Sequence, residues 1–307
     1  MIRRRPAPLH SSRGQPLLRA TDWRMRRARR VLGYIAASLV ALVLLAYGVV
    51  YVVSEIKVRR TVATVPHPIA VPSDSASVAE GARLARLRGC VECHGIRGQG
   101  DTFVDQWMLA RVISPDLTRS VRAYTNTELE AIIRQGARPG GRSVVVMPSG
   151  MFALLTDRDL GAIIAFLRQL PAQNGPGPEV RLGPLARVAF TVGEFVPAAE
   201  EVRRARRLSS AYPAEGESHH LGAYLARTAC TECHGFDLRG DGSARRPDLR
   251  IAAAYSLDAF AHLMRTGKAP GERELDLMSR VARSRFTNFT DHEIAALHGY
   301  LVARAKH

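Results

Sequence analysis

All four cysteines of the 307-residue chain fall in two five-residue words, Cys90-Val91-Glu92-Cys93-His94 and Cys230-Thr231-Glu232-Cys233-His234. Each word places two thiols about one helical turn apart, with an imidazole directly after the second. Three chemistries use such a set: thiol–disulfide exchange, zinc coordination and covalent attachment of c-type haem. Exchange of the thioredoxin type needs a βαβ context, and no such pattern surrounds either word. A zinc site would have to join two C-x-x-C halves 140 residues apart, each already carrying its own histidine. Haem attachment uses every residue of the word. The thiols of Cys90 and Cys93, or of Cys230 and Cys233, add to the two vinyl groups, and the imidazole of His94 or His234 becomes an iron ligand. Two such words, consuming every cysteine, point to two covalently bound haem c groups.

The elements that must position these words repeat as well. EGARLARLRGCVECHG begins at Glu80 and LGAYLARTACTECHG at Leu221. Each word is preceded by a helix rich in small residues and followed by a Gly-Asp loop, Gly100-Asp101 or Gly240-Asp241. A short amphipathic helix then ends in glycine, at Gly136 or Gly267. Each repeat closes with a capped helix. Thr156 and Asp159 precede Leu160, Ile163, Ile164 and Leu167, and Thr290 and Glu293 precede Ile294, Leu297 and Leu301. Strand signal is weak beyond runs such as Val144-Val145-Val146. A three-helix domain of this size buries a modest core, which a bound group at its centre would complete.

Composition sets the frame. At 46% hydrophobic and 23% charged residues the chain reads as globular, not disordered. The net charge of +16 is uneven, because residues 1–30 hold ten arginines against a single acid, Asp22. A basic terminus can bind nucleic acid. Here it precedes Val31–Val53, 23 residues without a formal charge, long enough for a membrane-spanning helix and too long for the apolar core of a cleaved signal peptide. Arginines before a span stay cytoplasmic. We therefore expect a cytoplasmic basic segment (1–30), a transmembrane anchor (31–53) and a Pro- and Ser-rich tether (54–78). A first helical domain (79–171), a linker (172–214) and a second helical domain (215–307) follow. Both domains would lie on the periplasmic face of a bacterial inner membrane, with no nucleic acid as partner.

The repeats resemble class I c-type cytochrome domains, the first especially those of membrane-bound cytochrome subunits of bacterial dehydrogenases. The matching words are Ile113-Ser114-Pro115-Asp116, YTNTELEAIIRQGARPGG from Tyr124, Met147-Pro148 and LTDRDLGAIIAFLRQLP. The second repeat resembles the same type through DLMSRVARSRFTNFTDHEIAALHGYL from Asp276. Tyr124, and likewise Tyr255, stands where that family often has tryptophan. The resemblance implies an all-α fold: an N-terminal transmembrane helix plus two tandem cytochrome c domains. It also implies methionine as the sixth iron ligand. Met147 and Met151 qualify by position in the first repeat, Met264 and Met278 in the second. The family position favours Met147, nine residues before Thr156, and Met278, twelve before Thr290. Met108, Met151 and Met264 are then packing residues, and His67, His219, His220, His262, His292 and His298 are not ligands. The expected axial pairs are His94/Met147 and His234/Met278.

These features imply an electron-transfer protein, not an enzyme. It would carry single electrons from a dehydrogenase, a quinol-oxidising complex or a soluble cytochrome towards a terminal oxidase or another carrier. Two rival readings remain. One is a haem enzyme with an open iron site, such as a dihaem peroxidase or a sulfur-compound dehydrogenase. The other is a fixed subunit of a larger oxidoreductase complex.

Overall fold

The computed structural model describes residues 16–211 and 220–306. Much of the basic segment, and His219, lie outside the described residues. The chain divides into two units, Met1–Val53 and Ser54–His307. In the first, helix α1 (Pro16–Arg59) exposes every side chain from residue 23 to residue 49. Among the described residues it is the one helix long and apolar enough to cross a membrane, with a mean hydropathy of 2.5 over its apolar 18-residue window.

The second unit opens with the last turn of α1. Residues 60–71 were expected to form an extended tether, but they lie along the first repeat. Val62 donates its amide to Gly141 O at 2.8 Å, and Val65 exchanges hydrogen bonds with the Gln135 side chain. His67 pairs with Asp157, and Ile69 is buried in the core. A stretch with Pro and small residues is not free when its backbone groups find partners on a neighbouring surface.

Helix α2 (Ser75–Leu87) starts at Asp74, whose side chain accepts the Ser77 amide. Helix α3 (Cys90–His94) carries the first cysteine word. Strands β1 (Thr102–Gln106) and β2 (Ala110–Ile113) form a hairpin, followed by α4 (Leu117–Ala123) and α5 (Asn126–Arg134). A single turn α6 (Ser149–Phe152) precedes α7 (Asp157–Gln169). The connector holds β3 (Glu179–Leu182), α8 (Pro184–Val192) and α9 (Ala198–Ala211). The second repeat contains α10 (His220–Ala229), α11 (Thr231–His234), α12 (Leu257–Thr266), a small hairpin of β4 (Lys268–Ala269) and β5 (Arg273–Glu274), α13 (Leu277–Ser284) and α14 (Asp291–Arg304).

Caps explain where several helices begin. Thr125 with Glu128, and Thr290 with Glu293, form reciprocal capping boxes, while Thr156 accepts the Asp159 amide. In each repeat the opening and closing helices cross at a glycine. A Cβ on Gly81 of α2 would overlap the Ala162 carbonyl of α7, and a Cβ on Gly222 of α10 the Ala296 carbonyl of α14. The apolar faces of all four helices meet in one buried cluster that includes Leu84, Leu160, Ile164, Leu225, Ile294 and Leu297.

The fold is mostly helical, but all-α is corrected. The β1–β2 hairpin is joined by β3 from the connector, with Ala110 opposite Leu182 and Ile113 opposite Glu179, into an antiparallel sheet. So the connector is not a bare linker; it completes a sheet of the first repeat. Strands of four or five residues show too little alternation to announce themselves, and their pairing depends on a partner far along the chain. Val144-Val145-Val146 forms no strand. Val144 donates to Gly136 O and accepts from the Ala198 amide.

Candidate haem sites

Gly89 terminates the turn after α2 in the left-handed region (φ 75°), and the chain enters α3 directly. Cys90 and Cys93 then stand one turn apart, as do Cys230 and Cys233 around α11. No disulfide joins any of the four cysteines. Burial pushes Cys90 and Cys93 up to about 11 and Cys230 up to about 12, and raises Cys233 as well. A redox or metal-binding C-x-x-C stabilises its thiolate; these pockets do the opposite. Among the described residues no group of three or more His, Cys, Asp or Glu side chains converges on a metal-sized point.

The histidines share one arrangement. His94 Nδ1 lies 2.9 Å from Pro115 O, and His234 Nδ1 lies 2.8 Å from Pro247 O. A carbonyl can only accept, so Nδ1 carries the proton and Nε2 keeps its lone pair for a metal. Burial lowers the pKa of both imidazoles, which favours the neutral form that could ligate a metal. The loop after each word closes in the same way. The amides of Gly100 and Gly240 donate to His94 O and His234 O, both at 2.7 Å. Asp116 and Asp248, each directly after its proline, accept the Thr118 and Arg250 amides and so cap the next helix. The proline carbonyl that orients each imidazole is therefore itself held in place.

In the second repeat, Cys230, Cys233, His234 and Met278 line one apolar cleft with Leu249, Phe260, Phe286 and Leu297. The cleft is partly open to solvent. Two thiols, an imidazole with a free Nε2, a thioether and apolar walls fit a covalently held haem. Met264 reaches the same cleft from α12, but is almost fully buried in the core, whereas Met278, in the first turn of α13, is half-buried. In the first repeat Met147 is half-buried against the core cluster, immediately before Pro148 and α6. Met151 is 1% exposed within that core. The other described histidines have separate surroundings. His67 pairs with Asp157, His262 with Glu272 and His298 with Tyr255 O, while His220 and His292 are exposed.

Two arginines were not singled out in the sequence. Arg285 binds Glu92 at 2.5 Å and Glu232 at 2.6 Å, so one guanidinium joins the glutamates that precede the second cysteine of both words. Ser284 also hydrogen-bonds Glu92. The two carboxylates hold the Arg285 guanidinium in its charged form, well above its ordinary range. Arg88, two residues before Cys90, is 1% exposed, and none of its guanidinium nitrogens has a hydrogen-bond partner. It lies over the Tyr224 ring, 5.6 Å from the centroid. A further signal was legible: Pro-Asp-Leu recurs at 115–117 and 247–249, marking the carbonyls that hold the histidines.

A cytochrome c family model matches residues 78–171. The chain is similar to the cytochrome c subunit of a quinone alcohol dehydrogenase from Gluconacetobacter polyoxogenes, 33% identical over 102 residues, which is 31% of this chain and 22% of that protein. The corresponding Komagataeibacter europaeus subunit matches to the same extent. Similarity to the gluconate 2-dehydrogenase cytochrome c subunit of Pantoea cypripedii runs over 269 residues at 28% identity, 75% of this chain and 60% of that one. The chain thus spans about a fifth to three-fifths of the relatives it matches. With its thiols, its carbonyl-held imidazole and this match, the segment 78–171 belongs to the cytochrome c family, in a chain homologous to cytochrome c subunits of dehydrogenases.

Proposed function

We propose that the chain is a membrane-anchored dihaem cytochrome c. Cys90, Cys93, His94 and Met147 would hold one haem c, and Cys230, Cys233, His234 and Met278 the other. The observation that carries this reading is the repeated geometry. In both halves a proline carbonyl fixes the imidazole through Nδ1, and in the second half a methionine faces the same cleft. The second domain (215–307) is supported by the glycine-pinned helix crossing and capped closing helix that it shares with the first.

Haem c, when bound, supplies a one-electron iron couple. The residues of this chain do the rest. Each histidine presents Nε2 from a fixed ring, and methionine sulfur, a soft donor, favours the reduced iron. The apolar walls exclude water and Arg285 holds the two words side by side. The relatives' printed names support a dehydrogenase as electron donor, with this chain as its electron-transfer subunit, not its catalytic one. A quinol-oxidising complex is a further candidate donor and a terminal oxidase a candidate acceptor. The exposed apolar run 31–53 of α1, with Arg24, Arg26, Arg27, Arg29 and Arg30 before it, supports a single span with the N-terminus in the cytoplasm and the cytochrome domains in the periplasm.

A carbon monoxide difference spectrum of the reduced, detergent-purified protein tests the reading. Two six-coordinate haems leave no site for carbon monoxide, so no spectral change is expected. Stoichiometric binding at one haem would overturn the electron-carrier assignment in favour of a haem enzyme with an open iron. Met278→Ala should turn one haem high-spin and carbon-monoxide-reactive while the other keeps its spectrum.

A further inference from the structure

Helix α8 of the connector leaves an apolar face uncovered. Leu185, Val188 and Val192 follow the i, i+3, i+7 spacing of one helix face and are 54%, 43% and 69% exposed, while Ala186 and Phe190 turn inward. Phe195, just past the helix, is exposed as well. At the other end, the Leu185 and Gly183 amides donate to Met108 O and Leu109 O, which sets the β1–β2 turn and its exposed Trp107 beside the start of α8. The helix itself carries no acidic residue and one base, Arg187; the flanking Glu194 is exposed.

What α8 is fastened to indicates what covers this face. Lys57 Nζ donates to the last carbonyls of α8, Phe190 O at 3.0 Å and Thr191 O at 2.8 Å. Arg187 donates to Ser54 Oγ at 2.9 Å and Glu55 Oε2 at 3.0 Å. Ser54 follows directly on the apolar run 31–53, and Lys57 is four residues beyond it. Four residues reach at most about 14 Å even fully extended, so both docking points are tied to within that distance of the run's end. The headgroup region of a leaflet is roughly 5–8 Å deep, and an interfacial helix buries its apolar face ~5–10 Å into it.

We infer that α8, with Trp107 and Phe195 at its ends, lies in the lipid headgroup–acyl boundary of the leaflet from which the chain emerges. Its Leu185–Val188–Val192 face is turned to the acyl chains. Basic side chains nearby, Arg59 and Arg181, which are 73% and 79% exposed, suit the phosphate level, and tryptophan is enriched at that depth. The occupant of the face is the membrane itself. This inference rests on the reading of 31–53 as a span.

The test uses the full haem-loaded chain in lipid nanodiscs. Haem attachment consumes the native cysteines, which unlabelled wild-type protein confirms, so single nitroxides go on Val188→Cys or Val192→Cys. Leu42→Cys, within the run, and Asp291→Cys, on a side chain 97% exposed, calibrate hydrocarbon and water. Power saturation compares collision with oxygen and with a water-soluble nickel chelate. Both α8 labels should give an oxygen-to-nickel ratio several-fold above Asp291→Cys and below Leu42→Cys. If they match Asp291→Cys while Leu42→Cys reads hydrocarbon, α8 faces water and the inference fails with the anchor intact. If Leu42→Cys also reads water, the anchor reading fails and takes the inference with it. Labels shielded from both reagents would mean that protein covers the face, which overturns the lipid assignment.

Discussion

Replacing Arg285 with methionine removes one guanidinium from between two carboxylates. Its contacts to Glu92 and Glu232 are 2.5 and 2.6 Å, so the two carboxylates stand within about 7 Å of each other. At an effective dielectric of about 40, suited to side chains 29% and 34% exposed, their uncompensated repulsion is ~1 kcal/mol. Losing two charge-assisted hydrogen bonds from a guanidinium that is only 11% exposed adds about 1–2 kcal/mol, after allowance for solvent screening of the glutamates. The total, about 2–3 kcal/mol, corresponds to a fall in Tm of roughly 5–10 °C for a unit of this size. Thermal unfolding of the oxidised protein, followed by far-ultraviolet circular dichroism, measures it. Adding Glu92→Gln and Glu232→Gln to Arg285→Met should recover the repulsive share and leave the hydrogen-bond loss. A single variant that melts within about 1 °C of wild type would refute the bridge as an electrostatic clamp. So would a triple variant no more stable than the single.

Gly81→Val should destabilise by about 2–4 kcal/mol, because α2 must move off the Ala162 carbonyl; Gly222→Val should do the same at Ala296, and denaturant melts that differ little from wild type would count against the crossing geometry. Burial pushes Glu201 up to about 7 from an ordinary 4.5, so between those values the folded protein keeps a proton that the unfolded chain releases, and stability falls as pH rises through that window. Glu201→Gln should therefore melt higher than wild type at pH 8 and alike at pH 4.5; a gain equal at both would mean that the carboxyl is not the cause. Arg88 places a buried guanidinium without a hydrogen-bond partner beside Cys90 and Cys230, where it would disfavour oxidised iron in a haem held by either cysteine word. Arg88→Met should lower a midpoint potential by some tens of millivolts, on the order expected for one charge at moderate effective dielectric, and unchanged potentials in a redox titration would dismiss that role.

The helices were legible where a local pattern carries its own stop and start. The Thr125–Glu128 and Thr290–Glu293 boxes lie within a few residues, as does the apolar face from Leu160 to Leu167. What escaped depends on distant partners. Val180 and Arg181 become a strand only because β2 offers them an open edge at Val112 and Arg111, far earlier in the chain. The segment at Val62 and Val65 is ordered by Gly141 and Gln135, which no local pattern announces. The cysteine words were legible because covalent chemistry demands fixed residue types at fixed spacing. The proline carbonyls that hold His94 and His234 were half-legible, through the repeated Pro-Asp-Leu. Arg285 and Arg88 were not, since in a chain with many arginines a residue's role follows from where the packing puts it.

The central claim is that each cysteine word holds a haem. Intact-mass spectrometry of the denatured, purified chain, with a pyridine haemochrome assay on the same sample, tests it most directly. The account predicts two haems covalently attached per chain, falling to one when Cys230 and Cys233 are both changed to alanine and likewise when Cys90 and Cys93 are. A wild-type mass carrying a single haem, or two haems that survive loss of either cysteine pair, would contradict it.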